Sequence, residues 1–327
     1  MKNYLINLQV FANEVQTTLL DGLSVEMKTF YDMTLIDEAS AALVHDQFGQ
    51  KRPIPKNGGK TIEFRKFASL PKATTALTEG VTPDGKSLTV TKIEATVKQY
   101  GDYITQSDVL ELTSLDNTIL EATKLLGRQA GLTLDTIVRD ILQSNTNVTY
   151  CPKKDGTAVT SRATLTNDCQ LTVDVINQVV AKLRAQNAPT INGKYVAIIH
   201  PYVAYDLMTD PAWQDAHKYC KPENMYEGEI GEIGGVRFVQ TSEAKIYDGG
   251  VFGTLIFGEG AYGVTEITGG GLQTIVKQKG SAGTADPLDQ RSSVGWKAIK
   301  TAEILIPNYI VRVESKSAAF SATATAN

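Results

Sequence analysis

The chain has 327 residues, room for one large domain or two ordinary ones, and its 42% hydrophobic content supports a real core and excludes a disordered chain. Its 32 basic and 36 acidic residues give a formal charge of -4, which excludes a protein whose main task is to coat nucleic acid from solution. Cys151, Cys169 and Cys220 share no metal or disulfide spacing, so reduced thiols are expected, and no apolar run reaches the roughly twenty residues that span a bilayer.

The opening stretch Met1 to Asn13 is broken by Asn3, Asn7 and Gln9 and lacks the continuous apolar core of a signal peptide. Up to about residue 30 there is no clean period, which reads as an arm with a short helix. A helix is predicted from about Thr34 to Phe48.

From Gly49 to Asp108 the pattern changes to about sixty extended residues that cannot build a core alone. In Gly59 to Phe67, Ile62 and Phe64 alternate with Thr61, Glu63 and Arg65, the period of a half-buried strand. A second arm is predicted from Ser87 to about Tyr103. There Leu88 and Val90 share one phase and Ile93, Ala95 and Val97 the other, which predicts a bulge or strong twist near Thr91-Lys92. Between the arms, Pro71, Gly80, Pro83 and Asp84-Gly85 mark a loop tip. An isolated ribbon is marginal in water, so something outside the subunit's own core is expected to cover it. From Lys51 to Lys72 there are seven basic residues, Lys51, Arg52, Lys56, Lys60, Arg65, Lys66 and Lys72, against the single acid Glu63. This reads as a solvated or subunit-pairing face rather than a nucleic-acid groove.

Asp116 is a candidate cap for the strongest helix, 116 to 144, with Ile119, Ala122, Leu126, Ala130, Ile137 and Ile141 at three- and four-residue steps. Gly127 and Gly131 on this helix suggest close approach of another backbone. Residues 145 to 168 are polar and turn-rich. A second unit starts at Thr172 with a helix facing Ile176, Val179, Val180 and Leu183 inward and stopping at Asn187-Ala188-Pro189. The run Tyr195 to His200 suits a buried strand, and Pro201 then opens a helix. Short strands at Val236–Gln240, Val251–Phe257 and Gln273–Gln278 predict a mixed sheet over about 170 to 284. Two strands hinged near Pro307-Asn308 fill Ser292 to Glu314, and the Ala, Ser and Thr residues of Ser315 to Asn327 predict a frayed tail. The order implies a discontinuous first domain with a second placed inside it.

No credible active site emerges. Gly258 to Gly263 matches G-x-G-x-x-G, but the following Val264 to Gly271 cannot open a helix to hold a pyrophosphate. Gly59-Lys60-Thr61 resembles the tail of a phosphate loop, yet a strand follows. Of the histidines His45, His200 and His217, His200 suits a cap or a core hydrogen bond, and His217 with Asp215 and Cys220 has no second cluster to complete a metal site. Glu227 and Glu229 read as solvated charges. No catalytic, cofactor or metal residue is assigned, and the chain is read as a non-enzyme.

Three stretches carry a resemblance to a known family: Asp286-Pro-Leu-Asp-Gln-Arg-Ser-Ser-Val-Gly-Trp-Lys297, the His200-Pro201 junction leading to Asp206-Leu207, and Lys60-Thr61-Ile62 with Leu77-Thr78-Glu79-Gly80. With the element order, they resemble the major capsid proteins of tailed double-stranded DNA bacteriophages, the α+β Hong Kong 97-type fold, and most closely the branch typified by the coat protein of Escherichia phage N-four. The resemblance implies an N-terminal arm and leading helix at 1–48 and an extended loop at 49–108. It implies a peripheral domain at 109–169 and 285–315 with a spine helix at 116–144, an axial domain at 170–284, and a flexible tail at 316–327. It implies pentamers and hexamers of an icosahedral shell, assembled in the bacterial host cytoplasm. The partners implied are further copies of the chain, a portal protein, separate scaffolding or decoration proteins where these are used, and packaged double-stranded DNA held without sequence preference; no membrane or cofactor is implied. Lys51, Arg52, Lys60, Arg65, Lys66, Lys72, Glu79 and Asp84 are the expected assembly residues of the loop, and Asp286, Pro287, Gln290, Arg291, Gly295 and Trp296 the family-like peripheral stretch. Lys72 is not expected to crosslink. The rival readings are an encapsulin-type nanocompartment shell and, further off, a nucleotide-binding enzyme built on Gly258 to Gly263.

Overall fold

The computed structural model describes residues 33–39, 43–67, 70, 72–77, 79–80, 82, 84–114, 118–217, 231–281 and 286–327. The expected N-terminal arm, the Asp116 cap, Pro71, Thr78, Pro83, Cys220, the Glu227–Glu229 loop and the side chains of Lys66 and His217 lie outside the described residues.

Val294, Trp296 and Ala298 alternate along Arg291–Ile304 (β13) and pack with Leu126, Ala130 and Leu134 of the long helix Thr118–Gln143. β13 is the backbone of a five-stranded sheet. Lys98–Ser107 (β4) pairs antiparallel with it from Ser107 opposite Arg291 to Lys98 opposite Lys300. Gln273–Lys277 (β12) and Tyr262–Glu266 (β11) share its other edge, and Gln50–Lys51 (β1) adds parallel to β11.

The second sheet has seven strands. Its centre is Val251–Phe257 (β10) and Tyr195–Ile199 (β6), both buried at every position, as strands covered on two faces must be. Ile310–Lys316 (β14) pairs with β10 on its far side and carries Val148–Tyr150 (β5) in parallel at the edge. Val236–Gln240 (β8) runs parallel to β6 and forms a hairpin with Glu232–Ile233 (β7), while Ile246–Tyr247 (β9) pairs with the start of β10. Tyr195, Ala197 and Ile199 pack with Ile176, Val179 and Leu183 of the helix Val173–Ala185. The alternate residues Val196 and Ile198 pack with Val138 and Leu142 of the long helix and with Tyr262 and Ala302 of the first sheet.

The long helix therefore serves both sheets, and its spacing explains how. Six of its buried residues, Ala122, Leu126, Ala130, Leu134, Val138 and Leu142, form an apolar stripe in four-residue steps. Each such step advances about 40° beyond a full turn, so the apolar stripe winds roughly 200° from one end to the other. The expected stripe placed Ile137 and Ile141 inward; they are only partly buried, because a stripe following three- and four-residue steps does not turn this way. A polar column lies beside it. Asp135 accepts hydrogen bonds from the backbone N–H of Val44 (2.8 Å) and His45 (2.7 Å) and meets the His45 ring at 2.7 Å, which holds 43–48 in a turn. The helix expected through Phe48 is thus absent over 43–49, although 33–39 is helical. Leu35 docks at Gly127, where a Cβ would lie 2.8 Å from the Leu35 carbonyl, as expected for a packing glycine.

Three further expectations are corrected. The second arm is not one strand with a bulge at Thr91-Lys92. Val90–Thr96 (β3) pairs without interruption with Thr61–Phe67 (β2), and at Val97, whose N–H bonds the Lys60 carbonyl, the chain leaves the ribbon for β4. The change of phase arises because Leu88 and Val90 are simply exposed. The end of the chain is not frayed. The Ser321 hydroxyl donates to the Gly250 carbonyl, Phe320 stacks on Tyr202 with centroids 4.3 Å apart, and Asn327 bonds Ile246 and Ala244. Small residues lack apolar surface but permit close backbone approach. The single mixed sheet expected over about 170 to 284 is divided as well: Val236–Gln240 and Val251–Phe257 lie in the second sheet, whereas Gln273–Lys277 pairs with β13 in the first, and within 285–315 β13 joins the first sheet and β14 the second.

Candidate assembly surface

Among the described residues, the ribbon of β2 and β3 is held to its own subunit at its base. Phe64 and Ala95 are buried against Leu305, with Ile62, Ile93 and Ile306 partly buried around them. The Phe64 ring covers Gly263, where a Cβ would lie 2.8 Å from the ring. Away from this contact the apolar residues face solvent: Leu70, Leu77, Leu88 and Val90 are 57%, 76%, 66% and 47% exposed. Exposed apolar residues on a two-stranded ribbon are of the kind that protein–protein contacts cover.

Glu63 and Glu94 sit directly opposite each other across the ribbon, a repulsive pair on its own. Lys92 lies between them and bonds both carboxylates, Glu94 at 2.7 Å, and these hydrogen bonds raise its pKa. This clamp escaped the sequence reading, since it depends on knowing the register. Of the expected assembly residues, Lys60, Arg65, Lys72, Glu79 and Asp84 are exposed and form no ion pair among the described residues. Arg52 is exposed, with its backbone N–H on Val264. Lys51 is 3.7 Å from Asp46, whose other oxygen binds the buried Lys300 at 2.9 Å, so it is partly engaged within its own subunit.

In the peripheral stretch Asp286, Gly295 and Trp296 are buried, while Pro287, Gln290 and Arg291 are exposed. Asp286 is buried and accepts from the Arg291 N–H at 2.8 Å, fixing the turn through Pro287 and Gln290 into β13; the Gln290 carbonyl accepts from Asp108 N–H. Gly295 lets β13 approach β4, since a Cβ there would sit 2.7 Å from that of Tyr103. Trp296 is buried and donates to Gln129 on the long helix at 3.3 Å, while Gln129 donates to Asp102 at 2.7 Å.

Neither chemical rival gains from the geometry. Gly258 to Gly263 forms the turn from β10 to β11, a strand follows, and Gly258 packs against the Pro189 carbonyl. His200 caps the helix Pro201–Met208: its Nδ1 accepts from Tyr202 N–H at 3.1 Å, and burial holds its pKa down at about 4. Cys151 and Cys169 are buried and free, and burial pushes the Cys151 thiol far up. Among the described residues no group of three His, Cys, Asp or Glu could hold a metal, and no helix is long and apolar enough to cross a membrane.

Residues 90–309 match the family described as phage capsid protein. No curated protein matches the chain in sequence. Among solved structures, the chain is similar to the capsid of cyanophage P-SCSP1u (TM-score 0.66, 14% identity, 84% of this chain and 88% of that one covered). It is similar to the cyanophage Pam1 capsid (TM-score 0.67, 13% identity, 86% and 92% covered). A virus-like particle from Pyrococcus furiosus also matches (TM-score 0.51, 13% identity, 88% and 100% covered). The chain belongs to the phage capsid protein family, and its fold is the Hong Kong 97-type shell fold.

Proposed function

We propose that this major capsid protein closes its shell by laying the ribbon of each subunit across a neighbour, in pentamers and hexamers that enclose double-stranded DNA. The observation that carries the reading is the ribbon itself, which among the described residues of β2 and β3 is buried at Phe64 and Ala95 alone and exposes Leu70, Leu77, Leu88 and Val90 beside its charges. The exposed charges Arg52, Lys60, Arg65, Lys72, Glu79 and Asp84, with Lys51 and Lys66, are the candidate contacts of this ribbon. In the domain scheme that follows, the extended loop covers 49–108, the peripheral domain 109–169 and 285–315, and the axial domain 170–284. The strands β4 and β14 tie these units together by pairing across their borders. The stretch Asp286 to Lys297 supports placement in the branch typified by phage N-four. Assembly in the host cytoplasm, with a portal and with scaffolding supplied by a separate protein, completes the proposal. The family match favours a phage coat over a nanocompartment shell.

Light scattering and negative-stain microscopy of the purified chain test the reading. Sixty copies of a 35.4 kDa chain weigh roughly 2 MDa, so shells or capsomer rings are unmistakable. A monomer that stays monomeric when coexpressed with the phage's other head proteins contradicts it.

A further inference from the structure

The face of the five-stranded sheet turned away from the long helix holds a depression of about 590 Å³ between β4, β13 and β12. Its floor is bare backbone at Gly101 and Gly295, and its walls include Tyr103, Ile275, Lys277 and Lys297. Tyr103 is 69% and Ile275 39% exposed, an apolar pair left uncovered by the subunit. Neither lysine has an ion-pair partner among the described residues. Asp102 also lines the depression; its carboxylate accepts from Gln129 and from the Tyr103 N–H, which holds its pKa below the usual range and keeps it ionised, so it offsets one of the two positive charges.

The ribbon tip has the complementary surface. From Ala73 to Gly85 it carries two acids, Glu79 and Asp84, and no basic residue, although basic residues dominate the arm that leads to it. Leu77, between Lys72 and Glu79, is 76% exposed. We propose that the tip of a second copy's ribbon seats in this depression, with Leu77 over the glycine floor between Tyr103 and Ile275 and with Glu79 and Asp84 against Lys277 and Lys297. The two lysines against the one carboxylate of Asp102 leave the depression net positive, opposite in sign to the two acids of the tip. Closely approached opposite charges of this kind fix register and select the partner. The proposal rests on the capsid reading and goes further by naming the receptor and its chemistry.

Charge exchange tests it. K277E/K297E is expected to lower shell yield at least tenfold without shifting the thermal midpoint of the unassembled subunit, since both side chains sit at the surface. E79K/D84K alone is expected to do the same, and the four substitutions together to restore yield to within about threefold of the wild type. Loss without rescue, or no loss at all, overturns the proposal. As a second readout, L77C/I275C in a C220S background is expected to give covalent multimers on oxidation of shells, because Cys151 and Cys169 are buried. A disulfide confined within single chains, or none, overturns it. Wild-type shells in the same preparations keep the capsid reading standing whatever the variants do; their absence removes both.

Discussion

Phe64→Ala separates the anchoring of the ribbon from the stability of the two cores. Phe64 is 4% exposed and is the largest member of a buried cluster that otherwise contains only Ala95 and Leu305. Truncating a packed phenylalanine costs about 3–5 kcal/mol where the surroundings cannot yield. Here they can, because the ribbon lifts off, so the loss is limited to the docking energy of the ribbon. Taking about 3 kcal/mol, at 1.4 kcal/mol per tenfold, the undocked population rises roughly 150-fold. An undocked two-stranded ribbon is not stable alone, so its ladder opens with it. Hydrogen exchange of the unassembled subunit is expected to show that acceleration in the amides pairing β2 with β3 and almost none in β6 and β10, with cleavage by trypsin at Lys60 and Arg65 rising in parallel. Shell yield falls with it. Wild-type exchange in the ribbon, or equal acceleration in both cores, refutes the argument that one small cluster holds the ribbon as a separate unit.

Acid should weaken the subunit through His200. Its neutral Nδ1 accepts the Tyr202 N–H and burial lowers its pKa to about 4, against about 6.5 when unfolded. The unfolded chain therefore binds more protons between these values, and stability drops as pH falls from about 6.5 to 4, by on the order of 3 kcal/mol in all. Thermal midpoints across that range measure it, and H200N, which caps without titrating, should flatten the profile. Glu314 is fully buried, accepts from the Arg162 Nε at 2.8 Å and forms an ion pair with the Arg312 Nε at 3.0 Å; E314Q should cost about 3 kcal/mol, the low end for a broken buried pair because Arg162 stays partly hydrated, read as a shift in the urea midpoint. Gly250 has φ of 67° and a Cβ there would lie 2.0 Å from the Ser321 carbonyl, so G250A should displace residues 317–327, seen as new sensitivity to carboxypeptidase with β10 and β14 still protected.

The sequence revealed elements whose signal is local. Alternation in Thr61 to Phe67, the helical period of the long helix, though not the turn of its stripe, and the proline after His200 each report a preference expressed within a few residues. What stayed hidden depends on partners distant in the chain. Leu88 and Val90 share a phase without sharing a buried face, because the ladder begins only at Val90, where Phe67 ends its own strand. The tail looked unable to bury anything, since composition reports apolar surface and not fit; Ser321 is fixed by a carbonyl 71 residues away. The assembly residues were legible as a charge run and a loop tip, whereas the Lys92 clamp needed the register and the depression needed two glycines on separate strands.

The same distinction explains why this chain can be both a rigid block and an adaptable tile. The apolar stripe of the long helix turns by roughly 200°, so its first half is keyed to Trp296 and Val294 and its second to Val196 and Leu255. Each polar residue of the neighbouring column then fixes one distant segment: Asp135 the 43–48 turn, Arg139 the Glu243 carbonyl at 2.8 Å, and Gln143 the Gly253 carbonyl at 2.8 Å. A rod locked to both sheets by packing and by directional bonds leaves the sheets little freedom to move against each other. Among the described residues, the buried attachment of the ribbon is the cluster of Phe64, Ala95 and Leu305. In the proposed shell, adjustment between neighbouring subunits is therefore expected in the ribbon, the element whose attachment costs least to change, and structures of subunits at different shell positions should superpose over both sheets and differ in the ribbon.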